Sequence, residues 1–437
     1  MSAQTNLPTA ENRRGAFRLL FFSLMAVGAG NTMLITTVLP LLVRELAFPA
    51  WTAGAIFSLS ALAWVLFSPF WGQMSNRYGR RPIAAMGMMG FAASMLLFGL
   101  AGTAGLVGLI TSWPIVFVML LSGRSLFGIF GSGTNPAAQA YVADRTDAAN
   151  RTEEIATLTA GFTLGTVLGP ALAAVLIERI ALLAPVFAIA ALAAGMGLSI
   201  WFFLPENREP RIKKIVSREE KGLWRDPGLA PYLIYGIGLS LVSGILVQTF
   251  PFFMLDRLTE TGYFPVQTDP DAKPTGTGEL GIVMTLGAMA TLMAQIALIP
   301  RLKLSARALM ATGAIMIAVA SGLILTAPSI AVFALVQILF GMGQGFSRPG
   351  FTSGASLAVG ATLQGNVAGL VTAANGVGFV VSPLFGLWAY EHIHPYAPFI
   401  FAALVMAFMG GFAFWKATAI YRDPEGDAHT EVEEPTE

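Results

Sequence analysis

Arg124 and Arg348 are the only two of the 26 Lys/Arg residues that fall inside long apolar stretches. A guanidinium within lipid is expensive, so each must face a cavity and find partners. Arg124 is the sharper candidate: a fixed positive charge there can anchor an anionic or polar solute, or else brace helices through their carbonyls. Arg348, directly before Pro349, is as well suited to snorkelling toward an interface. Uncharged polar groups in the same stretches are Asn31, Asn135, Gln139, Gln248, Gln295, Gln337, Gln344 and Asn375. Each must bond a helix neighbour or a solute. Asn31, Gln248, Gln337 and Asn375 join Arg124 as candidates for substrate binding.

Other chemistries lack their residues. None of the 25 acidic residues lies deep in an apolar stretch; Glu45, Asp144, Glu178, Asp256, Glu279 and Glu391 lie near the ends. With no cysteine, thiolate metal sites and cysteine nucleophiles are excluded. His392 and His394 beside Glu391 have poor metal-ligand spacing. No clustered nucleophile and base suggests an enzyme, and no Walker-type glycine loop suggests a nucleotide-driven pump. We expect no catalytic residue, metal, cofactor or nucleic-acid partner.

The elements that must position these groups are membrane helices. Of 437 residues 55% are hydrophobic and 12% charged, and mean hydropathy is +0.67. A soluble domain carries about a quarter charged residues. Twelve spans are expected, roughly 17–43, 52–74, 83–104, 113–141, 155–177, 181–204, 229–255, 279–299, 307–326, 329–357, 366–390 and 396–416. These divide into an N-terminal tail (1–16), a six-helix bundle (17–204), a hydrophilic loop (205–228), a second bundle (229–416) and an acidic tail (417–437). The polar first sixteen residues argue against a cleavable signal peptide. If the N-terminus is cytoplasmic, twenty Lys/Arg fall inside and four (Arg44, Arg179, Arg257, Lys273) outside, which predicts both termini inside.

The halves repeat. LFGIFGSGTNP (126–136) matches LFGMGQGFSRP (339–349) at an offset of 213, and Glu178-Arg179-Ile180 matches Glu391-His392-Ile393 at the same offset. Parallel six-helix repeats of this kind place a site between the halves and work by rocking. Within span five, Gly161, Gly165 and Gly169, followed by Pro170, line one helix face and predict close packing against another helix at the bundle interface.

Between spans two and three stands GQMSNRYGRRPI (72–83). It resembles the major facilitator superfamily signature in Gly72, Arg77, Gly79, Arg80 and Arg81, with Asn76 where the family usually has aspartate. Gly72 and Gly79 are expected to allow a tight turn there, and Asn76 to cap a helix end. Arg124 with Gly128 resembles the family's R-x-x-x-G element, and Gly165, Gly169 and Pro170 resemble its antiporter motif. TVLPLLVREL (37–46), YVADRTDAANRTEE (141–154) and Gln364-Gly365 look like the tetracycline/proton antiporter branch.

That resemblance implies an all-α fold of two pseudo-symmetric six-helix bundles in the inner membrane, acting as a monomer. It implies export of a lipophilic small molecule by alternating access, in exchange for protons. Gly28 stands where the branch carries an embedded aspartate, so the expected coupling and gating residues are Asp144 and the 72–81 loop. Asp144 could equally be a helix-end partner of Arg77 or Arg145. Two other readings stand beside this one: uptake or symport of an organic anion anchored by Arg124, and a non-transporting sensor or scaffold.

Overall fold

Peptide groups in lipid must bond one another, so apolar stretches of this length fold as helices. The computed structural model describes residues 10–146, 151–206, 223–264, 275–326, 329–359 and 364–416. Residues 1–9, the linker 207–222, Lys273, the acidic tail and the side chains of Gln364 and Gly365 lie outside the described residues. Twelve helices are long and apolar enough to cross a membrane, and no strand occurs among the described residues. Spans one to six are Arg14–Glu45, Trp51–Tyr78, Arg80–Leu106, Trp113–Asp144, Thr157–Arg179 and Ala184–Phe203. Spans seven to twelve are Ala230–Glu260, Thr277–Leu302, Ala306–Leu323, Ile330–Leu357, Gly369–His392 and Ala397–Trp415.

Packing repeats between the halves. Span one packs on five as seven packs on eleven, two on four as eight on ten, and three on six as nine on twelve. The main contacts across the halves, two with eleven and five with eight, are exchanged by the same six-span shift. The protein is therefore an all-α membrane fold of two pseudo-symmetric six-helix bundles. A continuous apolar core includes Leu24, Phe91 and Phe98 of the first bundle and Phe253, Phe333 and Phe399 of the second. The exposed large side chains on the spans include Phe203, Leu404 and Phe408, as a lipid-facing surface requires. Arg14, Arg77, Arg80, Arg81, Arg145, Arg301 and Arg307 gather at one end of the bundles, here the basic end; Arg44, Arg179 and Arg257 mark the far end.

Three spans change pitch just before a proline. π turns cover Leu34–Val38 before Pro40 in span one and Ala294–Leu298 before Pro300 in span eight. Span four tightens to a 3-10 turn at Gly131–Gly133, before Pro136. Proline lacks an N–H and clashes with the carbonyl four residues back, so the ladder widens or narrows to accommodate it. The Trp71 indole N–H donates to the Ile129 carbonyl beside the span-four break at 2.5 Å.

The glycine face of span five meets span one, its neighbour in the same bundle, rather than the other bundle. A Cβ on Gly161 would lie 2.6 Å from the Phe21 carbonyl oxygen and one on Gly169 2.5 Å from that of Ala29; one on Gly165 would overlap the Met25 carbonyl. Four-residue steps on one helix thus seat on four-residue steps of the other, and Gly28 returns the contact against Phe162. The contact with the second bundle comes from another side of the helix, where Ala174 and the Pro170 carbonyl meet Gly281 of span eight. Leucine at 165 must push the two backbones apart, an overpacking that costs about 1–3 kcal/mol. The expected outcome is a lowered unfolding temperature in detergent, with alanine at Gly195, which has no neighbour within 4 Å, as the silent control.

Candidate functional site

Span four can bring a charge into the first bundle because its glycines let neighbours close in. A Cβ on Gly128 would overlap the Ser60 carbonyl of span two and lie 2.7 Å from Ala63 Cβ. One turn earlier, Ser60 Oγ donates to the Arg124 carbonyl at 3.2 Å. The R-x-x-x-G spacing therefore docks span four on span two directly beside Arg124. The Arg124 side chain is 1% exposed. Its Nη2 donates to Asn31 Oδ1 of span one, and its Cζ lies 4.8 Å from the Phe57 ring centre and 4.4 Å from that of Phe127.

Nε and Nη1 of Arg124 have no hydrogen-bond partner, and no ion pair to Arg124 occurs among the described residues. An unneutralised buried cation with free donors is costly unless a ligand completes it. The cation-π contacts recover part of that cost, roughly 2 kcal/mol each when desolvated. The arrangement can hold a compact anion or carbonyl against two aromatic faces. Arg124 and Asn31 are legible in the sequence, whereas Phe57, Ser60 and Phe127 do not stand out there. The i, i+3 spacing from Arg124 to Phe127 was a readable signal for one of them; Phe57 and Ser60 come from another helix and left none.

The other candidates are not brought together with this pair. Gln337 is buried inside the second bundle, against Gly287 of span eight, and lines a cavity of about 10 Å³ with Leu246, Phe250, Ser321 and Phe399. Gln248 is buried in span seven. Asn375 is half-buried in span eleven, where its main-chain carbonyl accepts from Ser240 Oγ. Arg348 is half-buried and held within its own bundle: its Nε donates to Gln344 Oε1 at 3.1 Å, and Gln344 Nε2 donates in turn to Ser243 Oγ.

At the basic end, Gly79 takes φ +105° and makes the turn between spans two and three. Gly72 has no part in that turn, because span two stays helical to Tyr78. Glu206 caps span three by accepting from the Arg80 N–H at 3.2 Å and the Arg81 N–H at 2.5 Å. Asn76, expected as a cap, is exposed instead, as is Arg77, whose guanidinium lies 5.4 Å over Tyr78. Asp144 pairs with Arg80 at 3.2 Å, a partner other than the Arg77 or Arg145 expected, and Arg80 Nη1 also donates to Ser75 at 2.8 Å. Arg145 stacks 3.7 Å over Tyr141 and donates to the Pro205 carbonyl at 3.1 Å, and Arg81 lies 5.9 Å over Trp201. Glu206, the residue the sequence did not single out, closes this cluster from beyond span six.

Asp144→Asn strands the mostly buried Arg80 charge, and breaking such a pair costs about 3 kcal/mol. The expected outcome is a clear fall in thermal stability that Arg80→Met added to Asp144→Asn largely restores.

Residues 20–266 and 272–435 match the Major Facilitator Superfamily. The class G tetracycline resistance protein of Vibrio anguillarum is 36% identical over 192 residues, 43% of this chain and 44% of that protein. The multidrug resistance protein MdtG of Proteus mirabilis is 30% identical over 202 residues, 45% of this chain and 46% of that protein. The chain thus spans less than half the length of these relatives. Multidrug resistance protein 1 of Bacillus subtilis is 25% identical over 405 residues, 92% of this chain and 95% of that protein. Among solved structures, the human organic anion transporter MFSD10 aligns at TM-score 0.62 with 21% identity, covering 92% of this chain and 99% of that one. The nucleoside transporter NupG aligns at TM-score 0.64 with 15% identity, covering 93% of this chain and 98% of that one. With twelve spans, the repeated bundle packing and a match running along nearly its whole length, the chain belongs to the Major Facilitator Superfamily of transporters.

Proposed function

We propose that the protein exports a lipophilic, anionic or neutral small molecule across the inner membrane by alternating access, in exchange for protons. The observation that carries this reading is Arg124: buried, flanked by Phe57 and Phe127, tied to Asn31, with two nitrogens lacking partners. A dication would be repelled by that charge, whereas a carboxylate, phenolate or polarised carbonyl would complete it. The tetracycline and multidrug resistance relatives support export of drug-like molecules. The basic end is cytoplasmic, following the bias of Lys/Arg, and the protein works as a monomer in the lipid bilayer.

Gln248, Gln337 and Asn375, which do not meet Arg124 in this form, are the second bundle's candidates for the binding surface once the bundles rock. Gly72, Asn76, Arg77, Gly79, Arg80 and Arg81 gate the basic end, and Asp144 is the candidate proton carrier there. The test is flux of a lipophilic acid in proteoliposomes under an imposed pH gradient. Accumulation should reverse with the sign of the gradient; transport indifferent to the gradient removes proton exchange from the proposal.

A further inference from the structure

Arg348 is the second guanidinium inside a span, and the Arg124 site makes no use of its charge. Its Nε donates to Gln344 Oε1 at 3.1 Å, Gln344 Nε2 donates to Ser243 Oγ of span seven, and its Cζ lies 5.9 Å from the Phe379 ring centre of span eleven. Gln344 stands one turn farther from the basic end than Arg348, so the side chain is tied inward instead of snorkelling to the interface. No hydrogen bond or ion pair to Nη1 or Nη2 occurs among the described residues. Unlike Nε and Nη1 of Arg124, these two nitrogens keep surface open to a solute. An unneutralised cation at that depth is costly unless it faces a hydrated cleft that a counter-charge can enter.

The surroundings of Arg348 place it on the route to Arg124. At the far end the bundles are joined: Arg44 lies 3.1 Å from Asp256, the Trp51 N–H donates to Glu391 at 3.2 Å, and Ala174 meets Gly281. Those contacts close the far end, so a solute reaches Arg124 from the basic end in this form. Spans seven and eleven, which flank Arg348, are also the ones that touch spans one and two of the first bundle. Another side of span ten is taken up by span nine, where Gly313 and Ile317 press on Gly343. Arg348 stands nine residues before the end of span ten at Leu357, about 13 Å into the bundle. The internal repeat equates Arg124 with Gln337, eleven residues deeper than Arg348 and thus about 16 Å farther from the basic end. The repeat mate of Arg348 is Asn135, which carries no charge and accepts from Gln139 Nε2 at 3.1 Å.

We propose that Arg348 is the entry station for an anionic substrate: it takes the solute's carboxylate, phenolate or sulfonate group from the basic side and passes it on to Arg124. The inference rests on the export reading and narrows its substrate from anionic or neutral to anionic. Two unneutralised guanidiniums stand in sequence along one route, too far apart for a compact solute to bridge, so the anion leaves the first to reach the second. Nη1 and Nη2 form a fork that binds such a group through two parallel hydrogen bonds. Gln344 and Ser243 hold the fork in place, and Phe379 offers an aromatic face to the apolar part of the solute. A neutral solute gains nothing from the charge at this station.

The test is equilibrium binding of naphthoate and of its neutral isostere naphthamide to the full chain in lipid nanodiscs at neutral pH, with empty nanodiscs subtracted. Arg348→Gln should weaken naphthoate about tenfold, the lower end for loss of a charge-assisted hydrogen bond, and leave naphthamide within about twofold. The chain has no cysteine, so Arg348→Cys offers a single thiol for charge rescue. Aminoethyl methanethiosulfonate, which adds an ammonium group there, should restore most of the naphthoate affinity, whereas methyl methanethiosulfonate should not. Should Arg348→Gln not fold, Arg348→Lys, which keeps the charge without the fork, should show a smaller loss confined to naphthoate. A parent that binds the acid no better than the amide, an equal loss of both ligands on substitution, or rescue by the neutral reagent overturns the station and leaves Arg348 as a brace between spans ten and seven. Gradient-driven flux with acid binding indifferent to residue 348 overturns the station alone. Acid binding that depends on Arg348 in a protein without flux overturns the export reading and leaves the anion site standing.

Discussion

Replacing Arg124 with glutamine is expected to leave the protein at least as stable as the parent while removing most of its transport. Two opposing magnitudes set this outcome. Arg124 buries a charge with two nitrogens unpartnered, and exchanging such a buried ion for a well-packed neutral side chain is neutral or stabilising by about 1–4 kcal/mol. Glutamine can keep the hydrogen bond to Asn31 and a place between Phe57 and Phe127. A bound anion, however, loses a charge-assisted hydrogen bond worth about 1.5–3 kcal/mol, which is roughly 10- to 150-fold in affinity. Arg124→Lys keeps the charge but not the planar fork, so it should retain part of the affinity at a different substrate preference. Thermal unfolding and drug susceptibility, measured on the same variants, separate the possibilities. If Arg124→Gln unfolds readily while the surviving protein transports normally, the arginine is a brace and the substrate anchor lies elsewhere.

Joining the far ends covalently is expected to stop turnover altogether. Ser58 of span two accepts from the Leu384 N–H of span eleven at 3.2 Å, and a Cβ on Gly54 would lie 2.8 Å from the Leu384 Cα. Two helices from different bundles therefore run in backbone contact at this point. Cysteines at 58 and 384 meet no competing thiol, because the chain has none. Mild oxidation should form one disulfide and trap the far-end-closed form, with flux falling to the background of empty liposomes. Reduction should restore it. Flux that persists in fully cross-linked protein would mean that the bundles do not part there, and alternating access in its rocking form would fall with it.

Both experiments depend on features of very different legibility. Long apolar runs settle helix number because lipid leaves no other way to satisfy backbone groups. The offset of 213 repeats sequence between the halves, and the packing of span one on five and of seven on eleven repeats with it. Arg124 stood out for the same reason: a lone charge in an apolar run is visible without any knowledge of its neighbours. These are local properties, or properties of a single helix face, and composition and spacing carry them fully.

What sits beside a residue on another helix is set by the rotation and register of packed spans, which no local pattern records. Hence the glycine face of span five was legible as a packing face, yet only the tertiary structure decided that its partner is span one. Asp144 was legible as a helix-end acid, while its pairing with Arg80 depends on how span four ends over span three. Gln337 and Asn31 look alike in sequence; one turns into the interior of its bundle and the other toward Arg124. Phe57, Ser60 and Glu206 offered no signal at all, since hydrophobic, small and loop residues take on a role only where the folded chain brings them against a charge or a helix end.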